Sequence, residues 1–434
     1  MWVYICRNSV PCNVILDNNN IYENGEFTGS QPLGVIGAGV YVVGPVDLVT
    51  IKRNEIYDNY ASGVAVSYGS SVVVVGADST VVDTLENIQN LYGNDIYSNS
   101  SGAGVVLGNH ETPGAISGNY VVRGNRIYSQ RAGVSLRAYV GGNVLIRQNE
   151  INNNYMGGVD IQNTCDNLEI IENNIHNNSR GGIRTGDDQG TFNGVPEWTN
   201  LTIRQNKIHH NGAGSYGGGI NVIHATANID NNLVYKNHFG GIRFGDYTTE
   251  VKSNTVINNG DVANEKGGGI IFDDLAGAIN DPPSGFPTVP FPIQNNISAY
   301  NVRAGIRACF YATELYRDYN IVYSNNQDFL SNWCGTCASP DCTTGGRRAP
   351  RTCIGAQLGR GCHTETPFCC TAIGASGALP GETLIFADPL FEDMGNDDYH
   401  LAVGSPAIGA GEGGTDIGAY GGDYPIDDAE IPGP

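Results

Sequence analysis

Short apolar stretches alternate with asparagine and glycine along most of the chain. The motif Asn-x-Ile/Val-x-x-Asn recurs in eleven copies, with small departures such as Gln130 in the place of the second asparagine. The copies begin at Asn19, Asn54, Asn94, Asn125, Asn149, Asn173, Asn206, Asn232, Asn254, Asn296 and Asn320. Gly-Val or Gly-Ile follows the motif in most units, as at Gly158 and Val159. Each unit therefore has two short segments of alternating apolar residues, separated by Asn and Gly turns.

This repeat predicts a parallel β-solenoid. The basic unit is 22–24 residues long, with insertions in some units. Strands in neighbouring coils would stack about 4.8 Å apart, so that eleven coils form a rod about 50 Å long. Stacked asparagines can pass amide hydrogen bonds from coil to coil. Because no coil can bury its own apolar face, only the array is stable.

The coil residues resemble the right-handed parallel β-helix family, the pectate-lyase-like superfold, over roughly residues 13–330. The resemblance implies an all-β fold, a right-handed parallel β-helix solenoid of about eleven coils, which we assign to residues 1–330. This fold hosts lyases, hydrolases, epimerases, adhesins and phage spikes, so the resemblance does not select one activity.

Two segments after the repeat differ from it. Residues 331–380 form a Cys-rich insertion, too long to be an ordinary connection. Residues 381–434 contain the sequences ADPLF, DYHL, GSPAI and DIGAYG, and this tail resembles the C-terminal end of many secreted bacterial β-helix proteins. We expect the tail to cap the last coil, because a solenoid must cover its final edge.

Composition and charge exclude several classes of partner. Lys and Arg total 23 against 44 Asp and Glu, which gives a net charge of −21 and excludes broad attraction to nucleic acid or to an anionic membrane. No apolar run reaches the length of a membrane span. The first seven residues lack a signal-peptide layout, and the order of elements indicates that the sequence begins inside a repeat.

The eleven cysteines indicate an oxidising, extracellular compartment. We expect a disulfide between Cys6 and Cys12 and four more within the C-terminal group, with Cys165 left over as a small buried core residue. That group comprises Cys309, Cys334, Cys337, Cys342, Cys353, Cys362, Cys369 and Cys370. The alternative is a zinc site that draws ligands from Cys334, Cys337, Cys362 and His363.

A polar stripe occupies the outward or strand-end positions that follow the Gly-Val/Ile pairs. Insertions near 185–200, 212–217, 260–268 and 274–291 could wall this stripe into a groove for a linear polysaccharide. The stripe comprises Ser135, Arg137, Asp160, Gln162, Arg184, Asp187, Asp188, Asn221, His224, Arg243, Asp246, Asp273, Asp274 and Arg307. The alternative is a solvated ladder of paired charges on an exposed sheet, which requires no ligand.

A polyuronate lyase or epimerase would use this stripe to neutralise the substrate carboxylate and to remove the adjacent proton. The arginines would clamp the carboxylate, His224 or a Tyr would serve as base, and acidic side chains could hold Ca²⁺. The predicted catalytic set is Asp160, Arg184, Asp187, Asp188, His224 and Arg243. The predicted substrate-binding set is Arg137, Asn221, Asp246, Asp273, Arg307, Tyr97 and Tyr128.

A glycoside hydrolase would instead need two carboxyl groups about 6.5–9.5 Å apart. Asp160, Asp166, Asp187 and Asp188 lie in successive coils and are the candidates. Residues 163–166 and 186–188 resemble the Asn-Thr-Asp and Gly-Asp-Asp motifs of polygalacturonases, with Cys165 inserted into the first.

A column of aromatic residues follows the Ile or Val of the Asn motif. It contains Tyr22, Tyr57, Tyr97, Tyr128, Asn152, His176, His209 and Tyr235. Packing between coils explains such a column, and stacking on sugar rings is the functional alternative. His176 and His209 could also bind a transition metal.

We therefore expect an extracellular or cell-surface carbohydrate-interacting protein, a polysaccharide lyase or hydrolase if it is catalytic. The alternative is a non-catalytic adhesive or filament-forming protein that associates with itself through its first coil. Either would bind polysaccharide or its own copies rather than nucleic acid, and neither would span a membrane. N-glycosylation sequons occur at Asn99, Asn177, Asn200 and Asn296.

Overall fold

The computed structural model describes most of the repeat and the tail. The described residues are 13–25, 37–44, 46–67, 69–108, 116–137, 139–163, 165–186, 200–212, 218–222, 225–245, 248–261, 268–272, 291–302, 304–308, 315–325, 327–334, 369–372 and 383–433. Among them the chain passes repeatedly through three sheets, A, B and C, in that order. The sequence pattern distinguished two segments per unit and the structure has three, because the strand of sheet A precedes the Asn motif without a Gly to mark it.

The described strands form sheets of 11, 12 and 12 strands. Sheet A contains Asn13–Asp17, Val46–Lys52, Gly69–Gly76, Ile116–Arg123, Val140–Arg147, Cys165–Ile171, Asn200–Arg204, Thr226–Asp230, Thr248–Lys252, Phe291–Gln294 and Leu315–Asp318. Sheet B contains Asn20–Tyr22, Glu55–Tyr57, Asp95–Tyr97, Arg126–Tyr128, Glu150–Asn152, Asn174–His176, Lys207–His209, Leu233–Tyr235, Thr255–Ile257, Ile297–Ala299, Asn320–Tyr323 and Leu384–Ile385. Sheet C contains Val40–Val43, Val64–Ser67, Ala103–Leu107, Ala132–Leu136, Gly157–Ile161, Gly181–Thr185, Ile220–Val222, Ile242–Phe244, Gly268–Phe272, Ala304–Ala308, Gln327–Cys334 and Cys369–Ala372.

Strands in the three sheets pair in parallel, except that Cys369–Ala372 runs antiparallel to Gln327–Cys334. The one described α-helix, Leu85–Tyr92, is inserted between a strand of sheet A and the next strand of sheet B, and its buried Ile88 packs against Gly124. In the tail, Phe391–Asp393 pairs antiparallel with Asp398–Leu401. The tail also contains short 3-10 helices at Met394–Asn396, Glu412–Gly414 and Asp428–Glu430.

Side chains that point inward stack on similar side chains of the neighbouring coils along the solenoid axis, and together they form one continuous core. In sheet C, Val134, Val159 and Ile183 are register partners in successive coils, and all three are fully buried. Cys165 belongs to this core, as its sequence context predicted. Burial raises the pKa of the Cys165 thiol to about 12, so the thiol stays protonated and unreactive at neutral pH.

Two asparagine ladders line the turns on either side of sheet B. In the first ladder, Asn149 donates through its side-chain amide to Asn173 at 3.0 Å, and Asn173 donates in the same way to Asn206 at 3.0 Å. The first asparagine of the Asn motif forms this ladder, and the second asparagine of the motif forms a ladder of its own. A second ladder runs five residues later in each coil, and its members are Asn24, Asn59, Asn99, Gln130, Asn154, Asn178, Asn211, Asn237, Asn259, Asn301 and Asn325.

Gln130 interrupts the second ladder. Its Oε1 accepts from the backbone N–H of Asn99 at 3.1 Å, but its Nε2 is buried and has no hydrogen-bond partner among the described residues. We expect Gln130→Asn to raise the free energy of unfolding by about 1 kcal/mol, because the shorter side chain adds an amide hydrogen bond to Asn154 beside the existing backbone bond. Urea denaturation measures this change, and a destabilised variant would show that the longer side chain is needed to fill the turn.

The tail, residues 383–433, folds back along the outside of sheet B. The backbone N–H of Ala419 donates to Thr255 Oγ1 at 3.0 Å, and further along the tail Asp428 pairs with Lys207 at 2.9 Å. Near its end, Glu430 accepts a hydrogen bond from Gln148. The described tail therefore covers the side of the solenoid over several coils. Whether it also caps the last coil, as predicted, stays a prediction.

The predicted disulfides fall largely outside the described residues. Cys334 and Cys369 are backbone partners in the antiparallel strand pair of sheet C. The structure describes the backbone at these positions and at Cys370, but not the three side chains. The other predicted partners lie entirely outside the described residues: Cys6, Cys12, Cys309, Cys337, Cys342, Cys353 and Cys362. Within the described part of the chain, no helix is both long and apolar enough to cross a membrane.

Candidate functional site

Five members of the predicted polar stripe form a single row across sheet C. The register pairs its members in successive coils, and the row consists of Ser135, Asp160, Arg184, Asn221 and Arg243. The next coil places Ile271 in this row, and the backbone of Arg307 follows it. Because Val134 and Leu136 on either side of Ser135 point into the core, the row faces outward.

Asp160 and Arg184 form a buried ion pair at the centre of this row. Arg184 donates through Nη2 to Asp160 Oδ2 at 2.8 Å and through Nε to the other carboxylate oxygen. Asp160 is 1% exposed and Arg184 is 7% exposed, although the alternation of residues indicated an open face. Each charge neutralises the other, so this part of the row matches the ladder of paired charges better than a clamp for a substrate carboxylate.

Several predicted site residues lie elsewhere or outside the described residues. Asp166 lies at the start of a sheet A strand and accepts hydrogen bonds from Tyr139 at 2.5 Å and from the backbone of Gly142 at 3.0 Å. It therefore does not share a sheet with Asp160. Asp187, Asp188, His224, Asp246, Asp273 and the side chain of Arg307 lie outside the described residues. Arg137 directly follows a sheet C strand, and its backbone N–H donates to Leu107.

The predicted tyrosine column is a stacked ladder on sheet B. Consecutive rings of Tyr57, Tyr97 and Tyr128 lie 5.1 Å apart and within 6° of parallel. The ring faces are therefore turned toward one another, and a sugar can reach only the edges and hydroxyl groups of the inner rings. Tyr97 donates to Glu55 at 2.6 Å, which raises the pKa of Tyr97. This geometry favours packing between coils over sugar stacking.

Histidines continue the column beyond Asn152. His176 and His209 stack 4.9 Å apart, and His209 stacks on Tyr235 at 4.6 Å. Both ring nitrogens of His209 have partners, Nε2 with Asn174 Oδ1 at 3.0 Å and Nδ1 with the ring of His210 at 2.8 Å. Across the described part of the chain, no three His, Cys, Asp or Glu side chains are grouped to hold a metal ion. The histidines therefore belong to the packed column.

An open recess of about 530 Å³ lies at the turn from sheet B to sheet C. Tyr155 is 64% exposed at this site, and the guanidinium of Arg180 lies 5.5 Å from the centre of its ring. Met156 also lines the recess but is almost fully buried. The lining residues are Ser98, Asn99, Ser100, Ser129, Gln130, Arg131, Tyr155, Met156 and Arg180. They include two arginines and no acidic side chain, on a chain whose net charge is −21.

Stacked turns position the side chains of the recess. The backbone N–H of Tyr155 donates to Gln130 at 2.8 Å, and that of Met156 donates to Arg131 at 2.6 Å. In the next coil, the N–H of Arg180 donates to Met156 at 3.0 Å. Three consecutive coils thus bring Arg131, Tyr155 and Arg180 together. Sequence reasoning missed these residues because the repeat keeps no common side chain at this turn: the residues after Gln130, Asn154 and Asn178 are Arg131, Tyr155 and Ser179.

A comparison with protein-family models bears on the whole arrangement. The model described as a right-handed beta helix region matches residues 85–260. Residues 85–260 are therefore similar to this family. The three parallel sheets agree with this assignment, and the matched segment of the β-helix contains every residue that lines the recess.

Comparisons with individual proteins give distant matches. No curated protein matches this chain. Among solved structures, pectate lyase Pel9A is 13% identical, with 96% of this chain and 97% of that chain covered and a TM-score of 0.37. The Dettilon tailspike protein (gp208) is 17% identical, with 66% of this chain and 60% of that chain covered and a TM-score of 0.28.

The half-buried His209 makes the stability of the β-helix depend on pH. Burial, together with the neighbouring His176, lowers the pKa of His209 to about 2. Below pH 6.5 the unfolded chain therefore binds a proton that the folded chain does not, and stability falls by about 1.4 kcal/mol per pH unit. From pH 7 to pH 5 we expect His209→Asn to lose about 2 kcal/mol less than the wild type, as measured by urea denaturation. Parallel pH profiles would contradict this assignment.

Proposed function

We propose that this β-helix is an extracellular or cell-surface protein that binds polysaccharide in the recess at the turn from sheet B to sheet C. The exposed ring of Tyr155 beside Arg180 is the observation that carries the proposal. An aromatic face packs against the apolar face of a sugar ring, and the surrounding serine hydroxyls can bond to sugar hydroxyls. Binding sites of this kind combine an apolar surface with a few polar groups that fix the orientation of the ligand.

The ligand that fits best is a linear polymer with acidic sugars. Equivalent turn positions in successive coils are stacked about 4.8 Å apart, so side chains from several coils can contact consecutive sugar units. Arg131 and Arg180 lie in coils on either side of Tyr155, and guanidinium groups pair well with carboxylate or sulfate. The net charge of −21 repels polyanions in general, so binding of an acidic polymer depends on the local positive charge of Arg131 and Arg180.

Binding to acidic and neutral polysaccharides tests this proposal. We expect Tyr155→Ala and Arg180→Ala each to weaken binding to an acidic polysaccharide at least tenfold, a loss of about 1.4 kcal/mol. The matched control is Arg53→Ala, because Arg53 is exposed and lies in another part of the solenoid, where it pairs with Asp17 at 2.6 Å. Wild-type affinity in both recess variants, or an equal loss in the control, would overturn the assignment of the recess.

Catalysis along the row on sheet C is a second proposal, supported by the alignment of Asp160, Arg184, Asn221 and Arg243 in one register. Depolymerisation assays with and without Ca²⁺ test it: unsaturated products indicate a lyase, and new reducing ends without them indicate a hydrolase. Either activity should be lost in His224→Ala and Arg243→Ala. If no polysaccharide in a broad panel is cleaved, the result would favour binding alone or self-assembly. Light scattering at rising protein concentration would detect self-assembly.

A further inference from the structure

The four N-glycosylation sequons fall into two structural classes. Two of their asparagines, Asn99 and Asn296, are members of the internal ladders and are 1% and 0% exposed. The side-chain nitrogen of Asn296 donates to Val251 O at 2.9 Å and to Asn320 Oδ1 at 3.0 Å. A sugar on either nitrogen would displace these bonds and have no path to solvent, so the folded solenoid excludes a glycan at both positions.

The other two sequon asparagines are exposed. Asn177 lies in the turn between sheets B and C with a left-handed φ of 55°, and Ser179 of its sequon is partly exposed. Asn200 begins a strand of sheet A and lies in an outward row, where it donates to Asn167 at 3.1 Å. Thr202 of that sequon is also partly exposed. Neither asparagine is part of the two buried ladders.

We propose that Asn177 and Asn200 are attachment sites for N-linked glycans when the chain is made in a secretory pathway that glycosylates, and that Asn99 and Asn296 stay unmodified. In this reaction the side-chain nitrogen bonds to the anomeric carbon of an oligosaccharide carried on a lipid pyrophosphate. The bond between that carbon and the pyrophosphate oxygen breaks, the lipid pyrophosphate leaves, and the amide gives up one proton.

The two glycans would differ in their effect on the recess. Asn177 has the same left-handed conformation and the same place in its coil as Ser98 and Ser129, which line the recess. It also precedes Arg180 by three residues on one turn. A glycan on Asn177 would therefore cover one end of the recess, whereas a glycan on Asn200 lies on sheet A. This consequence rests on the proposed function, but the choice of sites does not.

Site occupancy is tested on the full chain secreted from yeast or mammalian cells. Peptide-N-glycosidase converts each glycosylated asparagine to aspartate, and peptide mass spectrometry locates the conversions. We expect conversion at Asn177 and Asn200 and none at Asn99 or Asn296. Conversion at Asn99 or Asn296 in folded protein, or no conversion at either exposed site, would overturn the inference.

Two sequon variants test the effect on binding and leave both asparagines in place. Ser179→Ala prevents the glycan on Asn177, and Thr202→Ala prevents the one on Asn200. With an acidic polysaccharide, we expect secreted Ser179→Ala to bind at least fivefold more tightly than the secreted wild type, and Thr202→Ala to bind as the wild type does. Equal affinities would overturn the occlusion of the recess. If the enzymatically deglycosylated wild type binds no polysaccharide, the proposed function fails while the occupancy result stands.

Discussion

Asn173→Ala is expected to lower the free energy of unfolding by about 4 kcal/mol, through a single position of the first asparagine ladder. The side-chain nitrogen of Asn173 donates to Ile146 O at 2.9 Å and to Asn206 Oδ1 at 3.0 Å. Its Oδ1 accepts from both the backbone and the side chain of Asn149 at 3.0 Å. Alanine leaves several of these buried groups unpaired, and each such group costs about 1–3 kcal/mol.

Urea denaturation of Asn173→Ala and Asn143→Ala tests whether burial is the cause. Asn143 belongs to an outer ladder on sheet A, where it donates to Asn119 at 2.9 Å and accepts from Asn167 at 3.1 Å. This outer ladder is exposed, so water replaces its lost bonds, and we expect Asn143→Ala to cost less than about 1 kcal/mol. A similar cost in both variants would contradict the explanation by burial.

The solenoid was predictable from the sequence because one physical requirement repeats in every coil. Each turn before sheet B needs a left-handed residue, such as Gln148 or Glu172, followed by an asparagine that bonds to the next coil. The Asn motif records this requirement directly. The direction of the sheet C row was also predictable, because alternation fixes which way a side chain points. Its burial was not, because alternation does not reveal what covers a face.

Contacts that do not recur with the repeat could not be predicted from the sequence. Gln148 and Glu430 are 282 residues apart, and no repeat indicates that the tail returns to this part of the solenoid. The recess escaped prediction for a related reason: the turn position is regular, but Arg131, Tyr155 and Ser179 occupy it in successive coils, and Arg180 lies one residue further on. The second asparagine ladder would have supplied the frame, because Arg131 and Tyr155 directly follow Gln130 and Asn154.

Charge alone does not explain how the tail is held. The chain has five lysines, and three of them, Lys207, Lys236 and Lys252, pair with tail carboxylates. Partly exposed ion pairs of this kind contribute at most about 1 kcal/mol each. The apolar side of the contact is more extensive, since Leu233, Tyr235, Ile257, Tyr399, Ala419, Ile426 and Ile431 form one buried cluster. The tail is therefore held mainly by its apolar residues.

Tyr399→Ala is accordingly expected to lower the free energy of unfolding by about 3–5 kcal/mol. Tyr399 is 0% exposed, and its ring centre lies 5.0 Å from that of Tyr235 and 5.6 Å from that of Phe391. Urea denaturation measures the loss, with Tyr155→Ala as the matched exposed control, which we expect to change stability by less than about 0.5 kcal/mol.

The same two variants separate fold from function. Tyr399 lies in the contact between the tail and the solenoid, and Tyr155 lies in the recess. Without denaturant and at a temperature where both variants are folded, only Tyr155→Ala should therefore weaken polysaccharide binding. If Tyr399→Ala left stability unchanged, the tail would be dispensable to the solenoid, and its apolar cluster would need another explanation. If Tyr155→Ala unfolded the protein, the exposed ring would be a structural element and the recess would lose its main support as a binding site.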